Sequence, residues 1–436
     1  MTTDSQNRNY FADHLAEVNK TNTVRATEDI LNEKGAIVVP KGAEITQEMS
    51  NKIARFKLSS PLESSINLEK VITPSILYKE ITKINDKLNL LPEVLKVFEP
   101  KLVRQCKLYG EHPLLAQKLT VLSERLPEVY INTMATINIA LLIAHEMNLD
   151  ETAMYTVFVA TQMHDAGLLN IAPEIVHKKG KYEPSEWKLL QGHCTIGRVL
   201  LEMIPGLPQK ASTAIFEHHE RLDGTGYPMG KSENQLGVEG QIIAIADTVN
   251  AIWSKRFITV GYQIRDIIPV MQMNSHIFPK AIHDALLRVL GSSLYKSTRV
   301  IKDDDIDALI KLQLVLQKIF MDWFKLAMQF TLKLRSLPKT QKIDNVTLFV
   351  HRIHNTITQS GLFSDGMTGW LNHVLKSKDV NEYQEIEYTS LMFDEFRYQL
   401  QQLHKLMQIA VEGINEDLEK ECLKIGLLLK DTPQNA

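Results

Sequence analysis

Apolar residues recur at helical spacing in one segment after another along most of this chain. Between about residues 98 and 292 the pattern runs through Val129–Met147, Thr152–Met163, Ser185–Met203, Gln209–His219 and Gly240–Ser254. The region 303–431 contains the long amphipathic stretches Ile306–Leu334, Val346–Gly361 and Glu382–Lys430. Because a period near 3.6 residues places apolar side chains on one side of an α-helix, we predict a mainly helical protein.

The N-terminal region has a different pattern. Two short apolar runs within residues 29–42 are each punctuated by a glycine, which predicts small strands, whereas the first 20 or so residues are polar and are expected to be loosely held. We predict three regions: 1–97 with a small α+β unit and a linker helix, a metal-binding helical domain at 98–292, and a helical bundle at 293–436. The bundle is expected to pack on the middle domain or to dimerise, with ligand sensing as the alternative.

Composition excludes several classes of protein. With 49 Lys and Arg against 52 Asp and Glu, the net charge of -3 gives no signal for binding a nucleic-acid polymer. The three cysteines are few, far apart and odd in number, which argues against a disulfide framework and against a cysteine zinc site. No apolar run is expected to span a membrane, and the polar first residues are unlike a signal peptide. We therefore expect a cytoplasmic protein.

Histidines and carboxylates occur together at three points of the helical region. His164-Asp165 ends an apolar helix beside Gly167, and His218-His219 opens the run His-His-Glu-Arg-Leu-Asp-Gly-Thr-Gly-Tyr-Pro. Asp247 follows the apolar residues 242–246. Imidazole and carboxylate ligands scattered in this way suit a divalent metal cluster of the hydrolytic kind. For any one of these residues, a capped turn or a satisfied buried histidine is the alternative.

The individual positions support a shared centre. His193 begins the next helical segment after His164, and a carboxylate at Asp165 can bridge two cations. Adjacent side chains at His218 and His219 point about 100° apart on a helix and can reach different ions. A carboxylate in the apolar surroundings of Asp247 is costly unless it is paired or metal-bound, and a salt bridge to Lys255 or Arg256 is the alternative.

The region from about 126 to 290 resembles an HD-GYP domain, the bacterial branch of the HD phosphohydrolase superfamily. The residues that carry the resemblance are His164-Asp165, Gly180-Lys181, His193, His218-His219-Glu220, Asp223-Gly224, Gly226-Tyr227-Pro228 and Asp247. The resemblance implies an all-α fold, a centre of two or three metal ions (iron or manganese), and hydrolysis of cyclic di-GMP to pGpG or GMP by a metal-activated hydroxide.

The resemblance also implies residue roles. Asp165 would bridge the ions, with His193, His218 and His219 on one side and His164 and Asp247 on the other. Tyr227 and the backbone of Gly224, Gly226 and Pro228 would shape the substrate side. Arg221 and Arg256 would contact phosphate or guanine, with surface salt bridges as the alternative for each. Asp165, Tyr227 and Arg221 are thus the candidate catalytic residues.

Two positions depart from the family pattern. Asn132 stands where the family has a metal-binding histidine, although Glu128 matches a carboxylate of trinuclear members. Leu168 replaces a lysine that would attract the substrate phosphate. The leading hypothesis is a metal-dependent cyclic di-GMP phosphodiesterase. Its alternative is a catalytically impaired member that binds a cyclic dinucleotide or a protein and signals through the C-terminal helices.

Overall fold

Helices account for most of the protein, as the computed structural model shows for residues 9–294, 299–430 and 432–433. The helices of this described part are α1 (Tyr10–Val18), α2 (Gln47–Ile53), α3 (Pro74–Leu88), α4 (Pro92–Tyr109), α5 (Pro113–Arg125), α6 (Pro127–Glu146), α7 (Glu151–Met163), α8 (Pro173–Val176), α9 (Pro184–Gln191), α10 (His193–Glu202), α11 (Gln209–Glu217), α12 (Val238–Ile252), α13 (Ile268–Met273), α14 (Lys280–Gly291), α15 (Ile306–Leu334), α16 (Gln341–Ser360), α17 (Asp365–Ser377), α18 (Tyr383–Val411) and α19 (Glu416–Lys430). The predicted fold class is confirmed.

Two small antiparallel sheets form the strand-containing part of the N-terminal region. Their strands are β1 (Val24–Ala26), β2 (Ile30–Leu31), β3 (Ile37–Val39) and β4 (Ile66–Leu68). β1 pairs with β4 so that Val24 faces Leu68, and β2 pairs with β3. The expectation of a loosely held N-terminus is wrong for α1, because Phe11, Leu15 and Val18 lie in the core and α1 packs on α2 and α5.

The chain forms two compact units. The first contains the described residues up to His219 together with Tyr227–Met229 and Leu236–Asn250. The second contains Glu220–Gly226, Gly230–Gln235 and the described residues from Ala251 onward. The limits at 98 and 292 therefore stay a prediction, and the structure groups the segment after Ala251 with the C-terminal helices.

Helix α6 lies at the centre of the first unit and packs on α3, α5 and α7. It is long and apolar enough to cross a membrane by length and composition, which the sequence analysis did not anticipate, but 72% of its most apolar window is buried inside the protein. That degree of burial is what the core helix of a packed domain shows. Near the site, α10 packs on α11, and α11 packs on α7.

The second unit has its own core, in which α18 packs on α13, α15, α16 and α19. Phe320, Phe393 and Phe396 are fully buried there, and Met273 of α13 belongs to the same cluster. Ion and amide contacts add to this core: Asn274 Nδ2 donates to Glu395 Oε1 at 2.9 Å, and an Arg352 guanidinium nitrogen donates to Asn274 Oδ1 at 3.0 Å. The segment that begins at Ala251 is thus built into the C-terminal bundle.

Candidate metal centre

Three histidines of the first unit are oriented by the same kind of hydrogen bond. Each Nδ1 donates to the carbonyl oxygen three residues earlier: His164 to Thr161 at 2.7 Å, His193 to Leu190 at 2.7 Å, and His218 to Ile215 at 2.6 Å. A carbonyl oxygen can only accept, so each Nδ1 carries the hydrogen. In a neutral imidazole this leaves the lone pair on Nε2, as in metal-binding histidines that are held by backbone carbonyls.

The three rings come from the ends of three packed helices. His164 follows the last residue of α7, His193 is the first residue of α10, and His218 follows the last residue of α11. The Nε2 atoms of His193 and His218 are 3.4 Å apart, and the ring centroids of His164 and His218 are 5.2 Å apart. The ring of His219 lies 4.0 Å from that of His218. The structure therefore brings together the four histidines that the sequence singles out.

Asp165 lies between two of these histidines. Its Oδ2 is 3.4 Å from His164 Nε2, and its Oδ1 is 3.4 Å from His193 Nε2. Each carboxylate oxygen therefore faces a different imidazole. This is the arrangement expected of a carboxylate that bridges two cations.

Asp247 extends from α12 toward the same group, with its Oδ1 3.8 Å from His164 Nε2. Its side chain is 22% exposed, so it is less buried than its apolar neighbours suggested. Arg256, one of the two salt-bridge partners that the sequence left open for Asp247, pairs through its guanidinium with Glu395 at 2.7 Å.

The charges of the group favour a cation. Burial alone would lower the pKa of His164, but the carboxylates of Asp165 and Asp247 outweigh it and raise that pKa to about 9. Burial, and then the charges of His164 and His193, hold the pKa of His218 well below its usual range. The negative potential that favours a proton on His164 equally favours a metal ion, and His218 stays neutral. Imidazole and carboxylate donors of this kind fit a divalent transition metal.

The two family-implied ligands on α6 have other surroundings. Asn250 Nδ2 donates to the backbone oxygen of Asn132 at 3.2 Å and lies 3.4 Å from its side-chain Oδ1. Glu128 is exposed in the first turn of α6. Among the contacts of the described residues, neither side chain meets the histidine group. Their assignment as ligands stays a prediction.

Cys194 joins the group, although the few and widely spaced cysteines of the sequence argue against a cysteine zinc site. Its side chain is fully buried, and its Sγ lies 3.4 Å from His193 Nε2. The donor atoms of His193, Cys194, His218 and His219 all lie within 4.8 Å of one another. The available signal was the direct adjacency of Cys194 to His193 at the start of a helix, which the wide spacing of the three cysteines obscured.

Gly167 lets the His-Asp turn approach α10. The turn continues into a short 3-10 helix, Ala166–Asn170, which packs on α10. A Cβ at Gly167 would lie 2.2 Å from the carbonyl oxygen of His193 and 2.9 Å from its Cα. The next residue, Leu168, is buried at 9% exposure. The position where the family has a lysine is therefore filled here by a core side chain.

Aromatic rings continue outward from the histidines. Tyr227 stacks on His219 with ring centroids 4.5 Å apart, and its backbone N–H donates to the His219 carbonyl at 3.1 Å. Trp187 of α9 lies 5.8 Å from Tyr227 and 6.1 Å from Tyr182, and it is 42% exposed. The Tyr227–Pro228 peptide bond is cis. Trp187 and Tyr182 were not predicted as site residues, because their only signal in the sequence is aromatic character in a polar stretch.

The other predicted substrate contacts belong to the second unit. Asp223 Oδ1 accepts from the backbone N–H and the hydroxyl of Thr225, which orders the turn containing Gly224 and Gly226. A guanidinium N–H of Arg221 donates to the Glu220 carbonyl at 2.8 Å, and the same group lies 5.2 Å from the Phe278 ring. The roles of these residues and of Arg256 in binding a substrate stay predictions.

Comparison with known proteins supports an HD-type domain in this part of the chain. Residues 111–278 match the HD domain family. The chain is 36% identical to a cyclic di-GMP phosphodiesterase of Thermotoga maritima over 115 residues, and 33% identical to 3'3'-cGAMP-specific phosphodiesterase 1 of Vibrio cholerae over 130 residues. It is 26% identical to cyclic di-GMP phosphodiesterase PA4108 of Pseudomonas aeruginosa over 181 residues.

These alignments cover only parts of the proteins. They span 26%, 30% and 41% of this chain and 31%, 30% and 44% of the respective relatives. The matched segment of the family contains α6, α7, α10, α11 and α12, which carry the histidines and carboxylates described above. Residues 111–278 therefore match an HD domain, and the relatives are consistent with the HD-GYP family that the sequence motifs resemble.

Proposed function

We propose that this chain is a metal-dependent phosphodiesterase that hydrolyses a cyclic dinucleotide, with cyclic di-GMP as the first substrate to test. The observation that carries the proposal is the set of three histidines whose Nδ1 atoms donate to backbone carbonyls, together with the Asp165 carboxylate that meets the Nε2 atoms of His164 and His193. The names of the relatives support both cyclic di-GMP and 3'3'-cGAMP as substrates.

Asp165, His164, His193, His218, His219 and Asp247 are the residues that would hold the metal ions. When bound, divalent cations of this kind acidify water and neutralise the charge that develops on a phosphodiester. Asp165 keeps two of the imidazoles at equal distance and would link the two sides of the centre. The backbone carbonyls that fix the Nδ1 atoms prevent the rings from turning, so the donors are preorganised. Iron and manganese are the ions proposed first.

The aromatic residues beside the histidines suit the nucleobase of such a substrate. Tyr227 packs on His219, and the exposed Trp187 offers a flat surface next to it. Stacking on an aromatic ring contributes about 1–3 kcal/mol per base, whatever the base. We therefore assign Trp187 a role in holding a guanine or adenine of the substrate and Tyr227 a role at the reacting phosphate.

The proposal is tested by metal content and turnover of the full chain purified without oxygen. The wild type should hold at least one divalent ion per chain and should linearise cyclic di-GMP. The double variant His218→Ala/His219→Ala should lose the metal, and Asp165→Ala should abolish turnover. A matched control replaces two exposed histidines of α16, His351→Ala/His354→Ala, and should keep both properties. Full metal retention in the His218/His219 variant would refute the proposed centre.

A binding protein without catalysis is the second candidate, and Asn132 is the observation that favours it. The Asn132 side chain is an amide that lies against Asn250, where the family has an imidazole. If the wild type binds cyclic di-GMP in calorimetry but does not hydrolyse it with iron, manganese or zinc, the binding role replaces the enzymatic one. Asn132→His should then raise metal occupancy if only that position limits activity.

We further propose a cytoplasmic location and a protein partner for the C-terminal helices. All three cysteines are buried and none forms a disulfide, which suits a reducing compartment. On α19 the side chains of Leu423, Leu427 and Leu428 are each more than half exposed. A second copy of the chain or a signalling protein would cover them. Light scattering of the wild type and of Leu423→Glu/Leu427→Glu tests the first of these.

A further inference from the structure

Cys194 has the position of a metal ligand. Its Sγ lies 3.4 Å from His193 Nε2, the same distance that separates His193 Nε2 from His218 Nε2. The fourth donor atom of the group belongs to His219, and all four donor atoms lie within 4.8 Å of one another. Cys194, His193 and His218 are all buried, at 0%, 3% and 0% exposure.

These separations match the edges of a tetrahedral site. With metal–nitrogen bonds of about 2.0–2.1 Å and a metal–sulfur bond of about 2.3 Å, tetrahedral angles place two nitrogens about 3.3–3.4 Å apart and a nitrogen and a sulfur about 3.5–3.6 Å apart. The observed distances of 3.4 Å and 3.4 Å are within about 0.2 Å of these values. At these distances one ion can contact His193 together with either His218 or Cys194, and the donor atoms of Cys194 and His218 lie within 4.8 Å of each other.

We propose that Cys194 is a thiolate ligand of the metal centre, which becomes a mixed nitrogen and sulfur site. This inference rests on the proposed function, because it concerns the same centre. When the metal–sulfur bond forms, the S–H bond breaks heterolytically and its proton leaves to solvent, so the oxidation state of neither sulfur nor metal changes. A soft thiolate added to three imidazoles would shift the preference away from manganese, one of the two ions proposed first, toward iron or zinc.

The other two cysteines are internal controls. Cys106 and Cys422 are also buried, and burial raises the pKa of their thiols to about 12 and about 11 respectively. Cys106 lies on α4 and Cys422 on α19. A signal that any buried thiol can produce should therefore weaken when Cys106 or Cys422 is replaced, as it does when Cys194 is replaced.

Cobalt(II) loading gives a direct readout of sulfur coordination. The full chain loaded with one equivalent of Co²⁺ should show a near-ultraviolet sulfur-to-cobalt charge-transfer band. This band should vanish in Cys194→Ser and persist in Cys106→Ser and Cys422→Ser. In a competition between equimolar Zn²⁺ and Mn²⁺, Cys194→Ser should lose at least about tenfold in preference for zinc. Replacing a residue that only hydrogen-bonds to a metal ligand already lowers metal affinity by about tenfold or more, so loss of a ligand should cost at least as much.

A measurement on the wild type alone covers the case in which Cys194→Ser does not fold. X-ray absorption of the zinc-loaded wild type should reveal one sulfur neighbour at about 2.3 Å. If zinc binds, a cyclic dinucleotide is hydrolysed, and the absorption shows only nitrogen and oxygen neighbours, the thiolate inference is overturned while the proposed function stands. If the wild type takes up no metal at all, both are overturned.

Discussion

Replacing Gly167 with alanine tests whether the His-Asp turn must lie this close to α10. A Cβ at this position would be 2.2 Å from the His193 carbonyl oxygen, whereas ordinary contact begins near 3.4 Å, so the backbone of His193 must retreat by about 1.2 Å. The atom that must move belongs to the backbone at the first residue of a helix, and no flexible side chain can yield instead. We expect overpacking to lower the free energy of unfolding by about 1–3 kcal/mol.

The same displacement should damage the centre more than the fold. A shift of about 1 Å in a reacting group costs on the order of 100-fold in rate. We expect Gly167→Ala to lose most of its metal and at least about 100-fold in turnover, measured by metal analysis, hydrolysis of cyclic di-GMP and urea denaturation.

A matched substitution separates this effect from a general effect of replacing glycine in a helix. A Cβ at Gly369 of α17 meets nothing within 4 Å, and its backbone does not require glycine. Gly369→Ala should therefore be neutral or stabilise the protein by about 0.5–1 kcal/mol. Wild-type stability and wild-type metal content in Gly167→Ala would refute the reasoning, because the structure leaves its Cβ no room.

Three further predictions concern the substrate side, the core and pH. Trp187→Ala should raise the KM for cyclic di-GMP about fivefold or more without changing metal content, because about 1–3 kcal/mol of base stacking is lost. Leu168→Lys should not tighten substrate binding but should lower the free energy of unfolding by about 1–3 kcal/mol in urea, because this side chain is only 9% exposed. Burial, and then Arg125, lower the pKa of His14 to about 4. The unfolded chain binds this proton below pH 6.5 and the folded chain does not, so up to about 3 kcal/mol of stability should be lost as the pH falls from 6.5 to 4, and His14→Gln should flatten that loss.

The predicted helices are most accurate where one pattern runs without interruption. The stretch Ile306–Leu334 is α15 with the same two ends, because its apolar residues keep the helical period throughout. The stretch Glu382–Lys430 was predicted as one helix, but the structure divides it into α18 and α19. The turn between Val411 and Glu416 is too short to disturb the helical period of the apolar residues, so the sequence does not reveal it. Helix α1 was missed because it spans only 9 residues, although Phe11, Leu15 and Val18 recur at helical spacing on its buried side.

For the candidate metal centre, the sequence predicted which histidines and carboxylates take part better than it predicted which other side chains lie beside them. Histidines and carboxylates are common metal ligands, so His164, His193 and His218 could be predicted as candidate ligands from the sequence. Cys194 could not, because a lone buried cysteine is usually an inert core residue and only the fold directs its sulfur toward His193. The burial of Leu168 could likewise not be predicted from the sequence, because it depends on which residues pack around the 3-10 helix.

What brings the histidines together is the spacing of α7, α10 and α11, and two glycines permit that spacing. A Cβ at Gly197 of α10 would lie 3.0 Å from Ile215 of α11 and 3.4 Å from the carbonyl of Met163 at the end of α7. Gly167 permits the approach of the His-Asp turn to His193 in the same way. Both contacts lie within a few residues of a histidine, so a larger side chain at either position would separate the imidazoles before it unfolded the helices. The sequence shows these glycines plainly, but only packing reveals that they determine the distances between ligands.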